Sequence, residues 1–168
     1  SSGAYSGSAF VRDGKIHYFY TGNVKHFDRD DYDYVLTGRE QNQIHVVAEN
    51  PDELGEKRIA VGPVDYPDDI GTHVRDPKIL EHDGIYYMVL GARTKDDRGC
   101  VLVYTSRNLE DWSYATRIEL GEKFGFMWEC PDLFELDGEL ILVCCPQGVS
   151  ADGWRYRNPH QCVWFPIE

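Results

Sequence analysis

The fold is decided by a stretch near the middle of the chain that reads Pro77-Lys78-Ile79-Leu80-Glu81-His82-Asp83-Gly84-Ile85-Tyr86-Tyr87-Met88-Val89. Two runs rich in Ile, Leu, Tyr and Val flank the dipeptide Asp83-Gly84, which tolerates the positive φ angles of a tight two-residue turn. Apolar and β-branched runs joined by such a turn are typical of a β-hairpin. The stretch therefore predicts an antiparallel hairpin centred on Asp83-Gly84.

The same pattern occurs twice more, around Asp13-Gly14 and around Asp137-Gly138. The turn aspartates lie 70 and 54 residues apart (83 − 13 and 137 − 83). These spacings suit the period of roughly 40–50 residues of a four-stranded propeller blade with insertions. The alternative is an ordinary antiparallel sandwich in which the three turns coincide by chance.

The rest of the chain supports an all-β fold, because no stretch of ten or more residues keeps a helical period while avoiding Gly and Pro. We predict a partial β-propeller of about three four-stranded antiparallel blades, with a surface insertion at 23–36. Since a propeller needs at least about four blades, we expect residues 1–168 to be a single fragment of a propeller domain that self-associates through exposed strand edges. Strands are predicted at 8–11, 16–21, 44–49, 77–81, 85–91, 101–106, 133–136 and 140–145.

Charge and composition exclude several classes of partner. The formal net charge is −12, with 29 acidic against 17 basic residues, which disfavours nucleic acid and anionic membrane surfaces. No apolar run approaches the roughly 20 residues of a membrane span. The five cysteines are odd in number and include the adjacent pair Cys144 and Cys145, so we expect a reducing, cytoplasmic setting. We expect no metal and no cofactor, since there is no Cys-x-x-Cys pair and the histidines lack metal-ligand spacing.

The repeat also locates candidate site residues. Counting back eight and seven residues from each turn aspartate reaches equivalent positions, which we expect just before the first strand of each hairpin. In a propeller such positions surround one axis, so their side chains should converge on one funnel. They are Tyr5 and Ser6, Arg75 and Asp76, and Glu129 and Cys130.

Two carboxylates and an arginine in one funnel suit glycoside hydrolysis, which needs a carboxylic acid at the leaving oxygen and anionic groups near an oxocarbenium-like centre. Glu129 follows Phe126, Met127 and Trp128, and apolar neighbours would favour the protonated form that a general acid requires. Asp76 stands beside Arg75, which should keep it ionised. Taken singly, each motif could also be a plain turn, an exposed loop or a flexible tail.

Three motifs follow one another along the chain: Tyr5-Ser6-Gly7-Ser8-Ala9, Arg75-Asp76-Pro77-Lys78 and Trp128-Glu129-Cys130-Pro131-Asp132. In this order they resemble the motifs of glycoside hydrolase family 32, which holds invertases, sucrose-6-phosphate hydrolases, inulinases and levanases. The stretches Tyr20-Thr21-Gly22-Asn23-Val24-Lys25 and Cys145-Pro146-Gln147-Gly148 resemble the bacterial sucrose-6-phosphate hydrolase branch of that family. The resemblance implies a five-bladed propeller followed by a β-sandwich, and a retaining mechanism. It implies that Glu129 is the acid/base and that Asp76 stabilises the transition state, while Arg75, Tyr5, Ser6 and Cys130 line the fructosyl subsite.

The family's nucleophile belongs to an Asn-Asp-Pro-Asn-Gly motif that this sequence does not contain. We therefore expect the chain alone to be inactive, lacking the nucleophile motif, the remaining blades and the C-terminal sandwich. The full-length protein is expected to cleave β-fructofuranosides such as sucrose or sucrose 6-phosphate. Arg155 and Arg157 could hold a phosphate, although both could equally be exposed edge residues. The alternatives are a five-bladed glycosidase of another family, of arabinanase or xylosidase type, and a non-catalytic sugar-binding module.

Overall fold

The computed structural model describes residues 2–167 and is built of β-strands, with one short 3-10 helix at Pro63–Asp65. Within the described residues, no helix has the length and apolar character needed to cross a membrane. The strands are β1 Gly3–Arg12, β2 Lys15–Lys25, β3 Arg39–Asn50, β4 Glu53–Leu54, β5 Arg58–Val61, β6 Ile70–His82, β7 Ile85–Thr94, β8 Gly99–Ser106, β9 Ser113–Ile118, β10 Met127–Leu136, β11 Glu139–Gln147 and β12 Val163–Ile167.

These strands form three antiparallel sheets that follow one another along the chain. Sheet 1 has the order β1-β2-β3-β4, with β5 also paired to β3. Sheet 2 is β6-β7-β8-β9, and sheet 3 is β10-β11-β12. The all-β prediction is confirmed, but only sheet 2 has the expected four strands, since the described parts of sheets 1 and 3 have five and three.

The three Asp-Gly dipeptides form equivalent hairpin turns, as predicted. They join β1 to β2, β6 to β7 and β10 to β11. Asp13, Asp83 and Asp137 have φ angles of 51°, 52° and 53°, and the φ angle of each following glycine is also positive. Positive φ at both central residues is the conformation in which the turn twist matches the twist of the two strands.

The eight predicted strands all lie inside observed strands, but several observed strands begin much earlier than expected. β1 starts at Gly3 rather than at residue 8, and β6 starts at Ile70 rather than at residue 77. The predicted insertion at 23–36 is also corrected, because residues 23–25 belong to β2 and the connection to β3 covers residues 26–38. The sequence analysis missed β4, β5, β9 and β12.

Each hairpin carries a β-bulge in its first strand. The register shifts between Ala4 and Gly7, between Arg75 and Lys78, and between Glu129 and Asp132. In β6 and β10 the shifts occupy the same place relative to the turn, and in β1 the shift lies one residue nearer the N-terminus. A bulge places two residues opposite one and redirects their side chains, so it can present polar groups at the end of a sheet.

Two apolar cores hold the sheets together. Phe19 of sheet 1 packs with Met88 and Leu102 of sheet 2, whereas Val101 of sheet 2 packs with Trp128 of sheet 3. The second contact depends on a close approach of β10 to β7. A Cβ atom added at Gly91 would lie 2.0 Å from the carbonyl oxygen of Trp128, so only glycine allows the two backbones to come this close.

Candidate active site

The bulges of the three sheets face one open cleft of about 620 Å³. The six candidate residues Tyr5, Ser6, Arg75, Asp76, Glu129 and Cys130 all line it. They lie within β1, β6 and β10, not ahead of these strands as expected, because each strand extends past its bulge. The cleft is completed by Tyr34, Val35, Arg39, His73, Arg93, Phe126 and Gln147.

The Glu129 carboxylate is held by two polar side chains. Its Oε1 accepts hydrogen bonds from Arg75 Nη2 at 2.7 Å and Arg75 Nε at 3.1 Å, and its Oε2 accepts from Gln147 Nε2 at 2.6 Å. The apolar environment expected for Glu129 is therefore wrong. Trp128 instead turns into the core and is 1% exposed, with its indole Nε1 donating to the carbonyl oxygen of Phe124.

Asp76 lies deeper in the cleft and joins two sheets. Its Oδ2 accepts hydrogen bonds from the backbone N of Cys130 at 2.9 Å and from the Cys130 thiol at 3.6 Å. Burial raises the pKa of Asp76. Arg75 lies farther from Asp76, at 4.0 Å, than from Glu129. Arg75 lowers the pKa of Asp76, as expected, but the effect of burial is larger, and the guanidinium forms its hydrogen bonds across to Glu129 of sheet 3.

A buried polar layer of sheet 1 supports the bulge of β6 from behind. The hydroxyl of Thr21 accepts a hydrogen bond from the backbone N of Asp76 at 3.0 Å and donates to Gln43 Oε1 at 2.8 Å. Gln43 Nε2 donates to the carbonyl oxygen of Val74, and Gln41 Oε1 accepts from the backbone N of Val74. Thr21, Gln41 and Gln43 are at most 1% exposed, so these bonds are shielded from water and fix the backbone next to Arg75 and Asp76.

His73 fixes the other side of Arg75. Arg75 Nη1 donates to His73 Nδ1 at 3.1 Å, and His73 Nε2 donates to the carbonyl oxygen of Val35 at 2.8 Å. A guanidinium only donates and a carbonyl only accepts, so the two partners require a neutral imidazole protonated on Nε2. Burial and, to a smaller extent, the nearby Arg39 and Arg75 together lower the pKa of His73 to about 4, which agrees with the neutral form.

Residues of the β2–β3 connection form one wall of the cleft. The hydroxyl groups of Tyr34 and Tyr5 are hydrogen-bonded at 2.7 Å. Val35 is tied down through its carbonyl oxygen, which accepts from both His73 and Thr72. The connection that looked like a plain surface insertion therefore contributes side chains to the site.

Sequence reasoning missed Gln147 and Thr21 as contacts of the candidate residues. His73 stands close to Arg75 and Asp76 in the sequence, which indicated that it could line the funnel, and it does line the cleft. One signal could have found Gln147, because strand pairing around Asp137-Gly138 places the end of β11 opposite the start of β10, where Glu129 lies. Arg155 and Arg157, the candidate phosphate ligands, do not line the cleft. Within residues 2–167, no group of three His, Cys, Asp or Glu side chains is arranged to hold a metal ion.

Comparisons of the sequence and of the structure with known proteins agree on one family. Residues 1–166 match the sequence model described as "Glycosyl hydrolases family 32 N-terminal domain". Sucrose-6-phosphate hydrolase of Bacillus subtilis is 38% identical over 169 residues, which cover 98% of this chain and 33% of that protein.

Two solved structures share this fold closely. Sucrose-6-phosphate hydrolase of Lactobacillus gasseri superposes with a TM-score of 0.81 at 30% identity, covering 98% of this chain and 32% of that one. A variant of a Bombyx mori β-fructofuranosidase in complex with sucrose gives 0.78 at 32% identity, covering 98% and 34%. The chain therefore spans about a third of the length of these relatives.

Proposed function

Because the chain belongs to glycosyl hydrolase family 32, we propose that the protein of which it is part hydrolyses β-fructofuranosides such as sucrose or sucrose 6-phosphate. One observation carries the proposal. Asp76 and Glu129, on matching bulges of neighbouring sheets, face the same cleft and both lie beside Arg75. Family membership also decides against the alternative of an arabinanase or xylosidase family.

In this proposal Glu129 protonates the glycosidic oxygen as the fructosyl–oxygen bond breaks, and later takes a proton from the attacking water. Gln147 is a suitable hydrogen-bond partner for the Glu129 carboxyl group, which changes its protonation state during the reaction. Its amide nitrogen donates to the carboxylate as seen here, and a rotated amide would present its oxygen to the protonated acid. Arg75 fixes the orientation of the carboxyl group and adds positive charge near it.

Asp76 differs in role from Glu129. In the proposal it is the carboxylate that binds fructosyl hydroxyl groups and stabilises the oxocarbenium-like transition state. Tyr5, Ser6, Arg75 and Cys130 line the same fructosyl subsite. Burial, aided by Asp76, raises the pKa of the Cys130 thiol to about 12, so it stays protonated and acts as a hydrogen-bond donor to Asp76 rather than as a nucleophile.

A retaining mechanism needs an attacking carboxylate in addition to the acid. The Asn-Asp-Pro-Asn-Gly motif is not in this sequence, so we assign the nucleophile to another part of the full-length protein. The chain then corresponds to part of a five-bladed propeller whose axis passes through the cleft. We place the protein in the cytoplasm, on the five cysteines of this chain, which include the adjacent pair Cys144 and Cys145.

The test is hydrolysis by the full-length protein. We expect release of fructose from sucrose or sucrose 6-phosphate, with retention of configuration at the fructosyl carbon. Aryl α-arabinofuranosides and β-xylosides serve as negative controls of the same reaction type. Hydrolysis of either control in place of the fructosides, or an inverted product, would contradict the proposal.

A further inference from the structure

Arg39 is a buried arginine without an acidic partner. It is 7% exposed, and none of the ion pairs among residues 2–167 includes it. The two other arginines of the cleft are both paired, Arg75 with Glu129 and Arg93 with Asp97. Acidic residues outnumber basic ones by 29 to 17, so scarcity of carboxylates does not explain the difference. A buried charge without a counter-ion is unfavourable, which indicates that an anion completes this position.

The Arg39 guanidinium is held in a fixed orientation. Its Nε donates to the carbonyl oxygen of Tyr34 at 2.8 Å, and its central carbon lies 3.9 Å from the centre of the Tyr34 ring. The terminal NH₂ groups make none of the hydrogen bonds found for this side chain in the described residues. Burial lowers the pKa of Arg39, as expected for a desolvated cation that lacks an anion.

Arg39 also stands where it could meet a substrate. It lines the cleft that contains Arg75, Asp76 and Glu129, and it lines an adjoining cavity of about 530 Å³ that also contains Lys95. A neutral disaccharide would need no desolvated cation at this place. A phosphate monoester would, because a guanidinium matches two phosphate oxygens with two parallel hydrogen bonds.

We propose that Arg39 binds the phosphate group of a phosphorylated β-fructofuranoside, which makes this cleft selective for a sugar phosphate over the neutral sugar. The inference rests on the proposed function and deepens it. It replaces Arg155 and Arg157 as the candidate phosphate ligands, because both are exposed and Arg157 stacks on the Trp154 ring at 4.3 Å.

The experiment compares kcat/KM of the full-length protein for sucrose 6-phosphate and for sucrose. We expect the wild-type protein to prefer the phosphorylated substrate. Arg39→Gln should lower kcat/KM for sucrose 6-phosphate by about 10- to 100-fold more than it lowers the value for sucrose, the range for loss of a hydrogen bond to a charged group. Arg58→Gln is the matched control, since it removes one exposed positive charge from sheet 1 outside the cleft.

Two further measurements separate the possible results. Arg39→Lys keeps the charge but loses the planar fork, so it should recover only part of the preference. Inorganic phosphate should inhibit the wild-type protein competitively and the Arg39→Gln protein weakly. Equal use of the two substrates by the wild-type protein would overturn the inference and leave the proposed function intact, even if Arg39→Gln failed to fold. An equal fall for both substrates in Arg39→Gln would also overturn it, and hydrolysis of neither by the wild type would contradict the proposed function itself.

Discussion

Asp76 contacts all three sheets. It belongs to the bulge of sheet 2, its backbone N donates to Thr21 of sheet 1, and its carboxylate accepts from the backbone N of Cys130 in sheet 3. Its φ of 63° is left-handed, as is the φ of 49° at Cys130. Such angles cost roughly 1–2 kcal/mol in a residue other than glycine, and the contacts from the neighbouring sheets hold them in place.

The first prediction concerns Thr21, which we expect to position Asp76. Thr21→Val keeps the shape but leaves the backbone N of Asp76 without an acceptor, a loss worth about 1–3 kcal/mol. In the full-length protein we expect kcat to fall by about 10-fold or more, while Thr21→Ser retains most of the activity. Thr116→Val, at an exposed position of β9, is the control. Steady-state kinetics check this, and equal losses in Thr21→Val and Thr21→Ser would argue against a role for the hydroxyl.

The second prediction concerns pH and two buried histidines. Burial lowers the pKa of both His73 and His45 to about 4, and His17 adds to the effect at His45. In the unfolded chain each would titrate near its ordinary value of about 6.5. Between pH 6.5 and 4 the unfolded state therefore binds more protons, so stability falls as the pH falls through this range. The raised pKa of Asp76 acts in the opposite direction.

We expect each histidine to contribute on the order of 2 kcal/mol to this loss, read as a falling thermal unfolding midpoint of the full-length protein between pH 7 and 4.5. His45→Gln should flatten the dependence, because its imidazole is stacked between His17 and Phe19 and hydrogen-bonded to His17. His160→Gln, at an exposed position, should leave the slope unchanged. A slope unaffected by His45→Gln would refute the assignment.

At the scale of elements, the sequence predicted the strands where apolar and polar residues alternate, and it predicted them less well at the bulges. The Asp-Gly turns predicted the three hairpins because they require positive φ angles that few other dipeptides allow. Strand starts were missed because Arg75-Asp76-Pro77 and Glu129-Cys130-Pro131 interrupt the apolar pattern with bulges. The short outer strands β4 and β5 are largely exposed, so they carry no periodic apolar signal.

The candidate site was predictable to a similar extent. Equivalent positions in a repeat brought the six residues together without knowledge of the structure. The partner of Arg75 was not predictable, because a neighbour in sequence is a poor guide at a bulge that redirects side chains across sheets. His73 and Gln147 lie outside the counted positions. His73 contacts Arg75 of its own strand and Val35 of the β2–β3 connection, and Gln147 contacts Glu129 of the paired strand β10.

The third prediction tests the contact between two elements, β7 and β10. Gly91→Ala would place a Cβ atom 2.0 Å from the carbonyl oxygen of Trp128, so the strands must separate. We expect a loss of about 1–3 kcal/mol in stability, the range for overpacking, and lower kcat because Glu129 moves away from Arg75. Gly121→Ala has open space around its added methyl group and is the control. Unfolding and kinetics of both variants check this, and a Gly91→Ala protein as stable and active as the control would contradict it.

For the whole molecule, exposed apolar side chains on sheet 1 predict that the isolated 168-residue chain self-associates. Val11, Leu54 and Ile59 are 69%, 63% and 62% exposed, and they lie on β1, β4 and β5. Ile59→Glu should weaken the association measured by sedimentation velocity. Val64→Glu should not, because Val64 is 95% exposed but lies in the short helix between sheets 1 and 2. A monomer at high concentration would contradict this prediction.

The central claim is that Glu129 acts as the acid of a β-fructofuranosidase, and its direct test is the turnover of Glu129→Gln in the full-length protein. General acid catalysis contributes about 10²–10⁴-fold, so kcat on sucrose or sucrose 6-phosphate should fall within that range. The fall should be much smaller on a fructoside with an activated aryl leaving group, which departs without protonation. A Glu129→Gln protein that hydrolyses the natural sugar at the wild-type rate would contradict the account.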